Sequence, residues 1–270
     1  MNIERGIAGP MPWAAIGAGR PIVVLSGLSN NTGVKGDLFV RGVLAPVLSL
    51  AKQRRLVATN RWRGLPADLT MGDLAAGHAA ALRELFDEPV DVVGISTGGS
   101  IAQQLAADHP DVVRRLVLIS TGHTLGPLAR DDQLAVAELL RAGDERQAAA
   151  TLVEQLVPLG PLARSAGRLA APWMFKAPTS AADLLATLDA EDGFDLAGCG
   201  RPIAAPTLLI GGERDKFYPA EVLRRTRELI PGSTLLQVPR RGHMTVMQSR
   251  RATAHAAGFL MSEVELPRER

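Results

Sequence analysis

The chain has 270 residues, 46% of them hydrophobic, and a formal net charge of only +2. This is enough apolar material for a core with a cleft, in one large α/β domain or two small ones. The arginines occur as scattered pairs such as Arg54-Arg55 and Arg240-Arg241, not as a basic block. We therefore expect no nucleic-acid partner.

Cysteine usage and hydropathy restrict the other partners. The single cysteine, Cys199, excludes an intrachain disulfide and a cysteine cluster for a metal. Residues 1–5 lack the pattern of an export signal, and no stretch approaches the ~18 uninterrupted apolar residues of a membrane helix. We expect a soluble, cytoplasmic protein without cofactor, metal or membrane partner, which acts on a small molecule as a monomer or a homodimer.

Short runs rich in Val, Ile and Leu recur between amphipathic segments and predict strands. Their apolar residues are unbroken, which is typical of strands buried on both faces of a parallel sheet. In chain order the runs are residues 22–25, 56–59, 90–95, 116–120, 207–210 and 234–238. Helical patterns lie between them, the clearest over residues 71–86, where Thr70 and Asp73 have capping-box spacing. This alternation predicts an α/β fold with a doubly wound, mostly parallel sheet.

The alternation stops between His123 and Arg201. Four helical patterns follow one another there, separated by Gly143, by Gly160-Pro161 and by residues 172–178. The pattern predicts an α/β core of residues 1–122 and 201–270, with residues 123–200 forming a helical cap over the carboxyl edge of the sheet. The alternative interpretation is that these helices are long crossovers between strands.

A turn after the strand at 90–95 supplies the candidate nucleophile. Residues 94–98 read Gly-Ile-Ser-Thr-Gly between that strand and a predicted helix over 100–107, which is the nucleophile-elbow pattern G-x-S-x-G. The turn is so tight that only glycine fits at 94 and 98, and Ser96 is expected to adopt a strained backbone conformation. A purely structural turn is the alternative. Ser100 is interpreted as a helix-surface or packing residue.

A serine hydroxyl needs a base to become a nucleophile. Of the five histidines, His243 and His255 come late enough for the chain order serine, acid, histidine. His255 falls inside the last helical pattern, residues 244–261, whereas His243 lies in a loop after the last predicted strand. We predict His243 as the general base, with a surface loop histidine as the alternative.

The acid is expected at the carboxyl end of the strand at 207–210. Asp215 and Glu213 both lie there, and Asp215 is deeper in the loop, just before a turn at Tyr218-Pro219. We predict that Asp215 holds one ring nitrogen of His243 and stabilises the imidazolium, with Glu213 as the fallback.

Two backbone amides are expected to form an oxyanion hole. One is that of Thr97, directly after the nucleophile, and the other is that of Leu28, presented by a tight turn at Gly27. Aromatic and methionine side chains in or beside the cap either line an acyl pocket or pack within the cap: Trp173, Met174, Phe175, Phe194, Phe217 and Met244.

Residues 22–122 and 206–243 together resemble the α/β-hydrolase superfamily. Ser96, Asp215 and His243 match its triad in type, order and strand position, and Thr97 and Leu28 match its oxyanion positions. The resemblance implies the α/β-hydrolase fold, with the cap inserted after the sixth strand. One departure is Ser26, where many members carry histidine.

The residue at position 96 also narrows the activity that the resemblance implies. Serine there argues against the dehalogenases and epoxide hydrolases, which use aspartate, and the glycine-proline oxyanion loop of aminopeptidase-like members is missing. The resemblance implies hydrolysis of a carboxylic ester, thioester or lactone of a small or medium-sized apolar substrate, through an acyl-enzyme on Ser96. Carbon-carbon bond hydrolysis, cofactor-free perhydrolysis and non-catalytic ligand binding remain open alternatives.

Overall fold

A computed structural model describes residues 2–156 and 178–262 of the chain. An eight-stranded sheet forms its centre, in the order β1-β2-β4-β3-β5-β6-β7-β8. The strands are β1 (Glu4–Ala8), β2 (Met11–Ile16), β3 (Pro21–Leu25), β4 (Arg55–Thr59), β5 (Val90–Ile95), β6 (Val113–Ile119), β7 (Thr207–Gly212) and β8 (Thr234–Val238). The pairs β1-β2 and β2-β4 are antiparallel, and from β4 to β8 all neighbours are parallel.

Helices cover both faces of the sheet. They are α1 (Asp37–Leu44), α2 (Met71–Leu85), α3 (Thr97–Asp108), α4 (Pro127–Arg141), α5 (Glu145–Leu156), α6 (Ala181–Asp192), α7 (Ala220–Leu229) and α8 (Arg250–Met261). Successive residues of a strand point to opposite faces, and in β3 the side chains of Val23 and Leu25 enter one core cluster while Ile22 and Val24 enter the other. The predicted doubly wound sheet is confirmed.

The first two strands were not predicted from the sequence. β1 lies at the edge of the sheet, and four of its five residues are exposed or half-buried, so it lacks the unbroken apolar run that marks the central strands. Two helix starts also differ: the helix after the elbow begins at Thr97, not at residue 100, and the last helix begins at Arg250, not at residue 244.

The start of α2 follows the sequence prediction. The Thr70 hydroxyl accepts a hydrogen bond from the Asp73 amide at 3.1 Å, and the Asp73 carboxylate accepts one from the Thr70 amide at 2.9 Å. This reciprocal capping box satisfies two amides that the first turn of the helix leaves without partners.

Residues 123–200, which we call the helical insert, lie between β6 and β7. In its described part, α4, α5 and α6 share a small apolar core that includes Val136, Leu152 and Leu188. The insert therefore has its own packing and stands next to the carboxyl ends of the parallel strands. Among residues 2–156 and 178–262, no helix has the length and apolar character needed to cross a membrane.

Candidate active site

The turn between β5 and α3 carries Ser96 in a strained conformation. Its φ is 51° and its ψ is −125°, a region that side-chain-bearing residues rarely adopt. A Cβ atom on Gly98 would stand 2.3 Å from the carbonyl oxygen of Leu25, and one on Gly94 would stand 2.6 Å from the Cα of Gly99. The two glycines are thus required sterically, as the sequence pattern predicted.

Three side chains from separate loops meet at this turn. The Ser96 Oγ lies 3.1 Å from Nε2 of His243, whose Nδ1 lies 3.0 Å from Oδ2 of Asp215. His243 is 8% exposed and Asp215 is 3% exposed. A buried carboxylate, an imidazole and a hydroxyl in this order can move a proton from the hydroxyl to the ring and stabilise the charged ring.

The loop after β7 fixes the direction of the Asp215 carboxylate. Its Oδ1 accepts hydrogen bonds from the amides of Phe217, at 2.9 Å, and Tyr218, at 3.2 Å. The fallback acid, Glu213, is exposed and accepts a hydrogen bond from the amide of Arg240. The structure therefore brings Asp215, and not Glu213, to the histidine.

The His243 ring is held by neighbours that the sequence did not identify. The Phe217 ring lies 4.8 Å from it, centroid to centroid, and the Tyr218 ring stacks on it at 5.8 Å with an interplanar angle of 20°. The buried hydroxyl of Ser120 donates a 2.8 Å hydrogen bond to the His243 carbonyl. Ser120 ends β6 with a φ of 50°, a second strained residue beside the site.

A cavity of about 300 Å³ opens beside Ser96. Leu28 and Thr97, the two predicted oxyanion residues, both line it, as do Phe217 and Met244. Six further apolar side chains line it, namely Phe39, Val43, Ile95, Leu125, Leu152 and Met247. The arrangement can hold an uncharged, largely apolar group next to the serine hydroxyl.

The remaining pocket predictions have different outcomes. Phe194 is 4% exposed and packs in the core on the face of α2 and α3, so of its two interpretations packing is confirmed and pocket lining is not. Trp173, Met174 and Phe175 lie outside the described residues.

The loop that carries Leu28 is supported by a buried arginine. Arg61 is 3% exposed, and its guanidinium donates a hydrogen bond to the carbonyl of Ser29. Burial lowers the pKa of Arg61 to about 10, although Asp183 and Glu191 oppose this shift. The hydroxyl of Ser26, the position that departs from the family, has no hydrogen-bond partner within the described part of the chain.

Sequence reasoning missed Glu191, a 1% exposed residue near the end of α6. Its carboxylate accepts hydrogen bonds from the hydroxyls of Thr97, at 2.7 Å, and Ser100, at 3.2 Å. It also accepts from the side-chain amide of Gln133, at 2.9 Å, and from the hydroxyl of Tyr218, at 3.3 Å. Ser100 is thus a buried partner of Glu191, so the helix-surface alternative for it is wrong.

The helical spacing of α6 carried a signal for Glu191. It follows the buried residues Leu184, Thr187 and Leu188 at i+7, i+4 and i+3, so it belongs to the stripe that faces the protein interior. A glutamate in such a stripe requires hydrogen-bond partners, but the four that it has lie between 27 and 94 residues away along the chain.

Comparisons with known proteins show the family of the chain. The sequence model of the α/β-hydrolase fold family matches residues 21–249. A protein of Klebsiella pneumoniae strain 342, named as the carbamate hydrolase RutD, is 32% identical over 249 residues, covering 87% of each chain. A pimeloyl-[acyl-carrier protein] methyl ester esterase of Chromobacterium violaceum is 31% identical over 182 residues, covering 64% of this chain and 67% of the relative.

A solved structure shares the fold across nearly the whole chain. The enol-lactonase of Burkholderia xenovorans LB400 superposes with a TM-score of 0.74 at 18% identity, covering 96% of this chain and 100% of the other. At that identity the likeness concerns the fold alone. The family match and the 32% identical relative show that the chain belongs to the α/β-hydrolase family and is an enzyme of the esterase-like hydrolase type.

Proposed function

We propose that the enzyme hydrolyses carboxylic esters, thioesters or lactones through an acyl-enzyme on Ser96. The observation that carries the proposal is the hydrogen-bonded series from Ser96 through His243 to Asp215, which ends beside a largely apolar cavity. This order of hydroxyl, imidazole and carboxylate supports acyl transfer by a serine nucleophile.

The reaction follows from these positions. His243 Nε2 takes the proton of Ser96 as Oγ attacks the substrate carbonyl, and Asp215 stabilises the resulting imidazolium. The amides of Thr97 and Leu28 donate to the oxyanion of the tetrahedral intermediate. The intermediate collapses, and the leaving alcohol departs with the proton from His243. Water, activated by the same ring, then releases the acid and regenerates Ser96.

The cavity supports a small or medium-sized, uncharged acyl group. Its volume is about 300 Å³, and its described lining residues include no Asp, Glu, Lys or Arg. A charged group buried there would lose hydration without an opposite charge to compensate it. We therefore propose that apolar acyl chains bind against Phe39, Val43 and Leu152.

The helical insert is proposed to act as a cap over this site. Gln133 and Leu152 of the insert line the cavity together with residues of the core. Helices that cover the carboxyl ends of parallel strands can exclude water from the acyl-enzyme and define substrate length.

Carbamates form a second candidate substrate class. The relative named as a carbamate hydrolase covers 87% of this chain, and a carbamate carbonyl undergoes the same attack by a serine hydroxyl. Carbon-carbon bond hydrolysis and perhydrolysis use the same serine site, whereas a non-catalytic ligand-binding protein would not acylate Ser96.

An active-site fluorophosphonate and graded p-nitrophenyl esters test the proposal. We expect the wild-type protein to be labelled on Ser96, and Ser96→Ala to remain folded, unlabelled and at least ~10³-fold slower. The exposed Ser49→Ala is the matched control and should behave as wild type. The kcat/KM for a p-nitrophenyl carbamate, measured in parallel, shows if carbamates or esters are the better substrates. A folded wild-type protein that is neither labelled nor active on these substrates would refute the proposal.

A further inference from the structure

Glu191 lies where three parts of the molecule meet. Its four hydrogen-bond partners come from α3, from the insert helix α4 and from the loop that follows Asp215. Two of these partners touch the proposed machinery directly. Thr97 supplies an oxyanion amide, and Tyr218 stacks on the ring of His243.

The hydrogen-bond geometry around Glu191 suits an ionised carboxylate. All four partners carry a hydrogen to donate, and an ionised carboxylate has two oxygens that accept two hydrogen bonds each. A protonated carboxyl would have to donate to one of these groups and would displace its hydrogen. Burial raises the pKa of Glu191, and the four hydrogen bonds and the buried guanidinium of Arg61 oppose that shift.

Because the proposed reaction depends on an oxyanion donor and an imidazolium, we propose that Glu191 is a positioning residue for both. The Glu191 carboxylate fixes Thr97 and Tyr218 and supplies a negative charge that favours protonated His243. This inference rests on the proposed serine-hydrolase function.

The effect on the oxyanion hole is geometric. The hydrogen bond from the Thr97 hydroxyl to Glu191 holds the first residue of α3, whose amide must point at the oxyanion to within a fraction of an ångström. Gln133 on α4 donates to the same carboxylate oxygen, and it also lines the cavity. Glu191 thereby connects two helices of the insert, α4 and α6, to the elbow.

The effect on the base is electrostatic. Tyr218 donates its hydroxyl hydrogen to Glu191, which makes the ring stacked on His243 richer in electrons and a better neighbour for a cation. The charged and titratable groups around this region include Tyr218 itself, Asp215 and His243 from the two loops, Arg61 after β4 and Asp183 on α6. Removing the Glu191 charge should therefore make the imidazolium harder to form.

The main experiment compares Glu191→Gln with wild type, with Glu138→Gln as the matched control on an exposed face of α4. The value of kcat/KM for a p-nitrophenyl ester is measured from pH 5 to 8. We expect the plateau to fall about tenfold, and the acid limb to move to lower pH by about half a unit to one unit. A residue that only supports the fold would lower the plateau without moving the limb, and that result would overturn the inference.

Thr97→Val keeps the shape of the side chain and removes only its link to Glu191. We expect kcat to fall about fivefold with KM unchanged, since the oxyanion amide acts in the transition state, and we expect the acid limb to stay. If Glu191→Gln does not fold, Thr97→Val is the deciding variant. A wild-type kcat in Thr97→Val would then overturn the inference.

A second readout does not depend on turnover. The ring titration of His243 is followed by NMR in wild type and in Glu191→Gln, with His243→Gln used to assign the signal. We expect the midpoint in the variant to lie about half a unit to one unit lower, and equal midpoints would overturn the inference. If wild type is neither labelled nor active, the proposed function fails, and this titration still measures the coupling between Glu191 and His243.

Discussion

The hydroxyl of Ser120 donates a 2.8 Å hydrogen bond to the carbonyl of His243. The end of β6 thus holds the backbone of the loop that follows β8, two strands away in the sheet. Ser120 itself is fully buried, and its amide donates to the carbonyl of Ile210 in β7. The position of the histidine ring therefore depends on three strands.

Ser120→Ala should weaken both stability and turnover. The His243 carbonyl would lose its buried donor, at a cost of about 1–3 kcal/mol in the free energy of unfolding. We expect kcat to fall about tenfold as the ring loses its alignment with Ser96. Urea denaturation and ester hydrolysis measure the two effects. Ser233→Ala, another buried hydroxyl bonded to a backbone carbonyl, should lower stability only. Equal kcat values in the two variants would contradict the expectation.

Asp215→Asn should be far more damaging than Glu213→Gln. Of these two acids only Asp215 contacts His243. Its carboxylate selects the ring tautomer and stabilises the imidazolium, so we expect a loss of about 10³-fold or more in kcat for Asp215→Asn. Glu213 bonds to the backbone of Arg240, and its replacement should change kcat less than about twofold. Steady-state kinetics on one ester compares them. The reverse ranking would move the acid to Glu213.

Gly42→Leu should shorten the acyl chains that the enzyme accepts. Gly42 lines the cavity from α1, and an added Cβ meets no atom within 4 Å, so a leucine can occupy that space without displacing neighbours. We expect kcat/KM to fall about tenfold for long p-nitrophenyl esters and to stay near wild type for the acetate. Gly258→Leu is the control, because Gly258 has the same free space but lies on α8, outside the cavity. An unchanged acyl-length profile in Gly42→Leu would argue against this wall of the pocket.

His78 should make the fold sensitive to acid. Burial lowers the pKa of His78 to about 4, against an ordinary 6.5. Between these values the unfolded chain binds a proton that the folded chain does not, so stability is present above pH 6.5 and is lost as pH falls. The loss amounts to about 3 kcal/mol by pH 4. The difference in unfolding free energy between wild type and His78→Gln should shrink over this range, whereas the exposed His255→Gln should follow wild type. Parallel curves for wild type and His78→Gln would contradict the expectation.

The central strands and the three meeting side chains could be predicted because each depends on local sequence. Buried parallel strands are unbroken apolar runs, and the tight turn around Ser96 requires glycine at fixed positions. Asp215 follows β7, which is such a strand, and His243 follows β8, a partly exposed strand at the edge of the sheet. The edge strand β1 could not be predicted in this way, because it is half-exposed and contains Gly6.

Glu191, Ser120 and Arg61 could not be assigned from the sequence, because their roles depend on partners far along the chain. Glu191 binds Thr97 across 94 residues, Ser120 binds His243 across 123, and Arg61 binds Ser29 across 32. Local patterns show that a polar residue is buried but not what it contacts. Pocket lining also depends on contacts between distant parts of the chain. Of the aromatic and methionine candidates, Phe217 and Met244 line the cavity, whereas Phe194 packs in the core.

The helical insert divides the sequence between the nucleophile and its partners. Ser96 precedes the insert, and Asp215 and His243 follow it, so neither portion of the chain alone contains the whole proton path. Gly143, between α4 and α5, has a φ of 80° and free space around it, which makes it a natural point at which to cut the chain. The two fragments made by cutting the chain there would each be inactive, and hydrolysis would occur only when they reassociate.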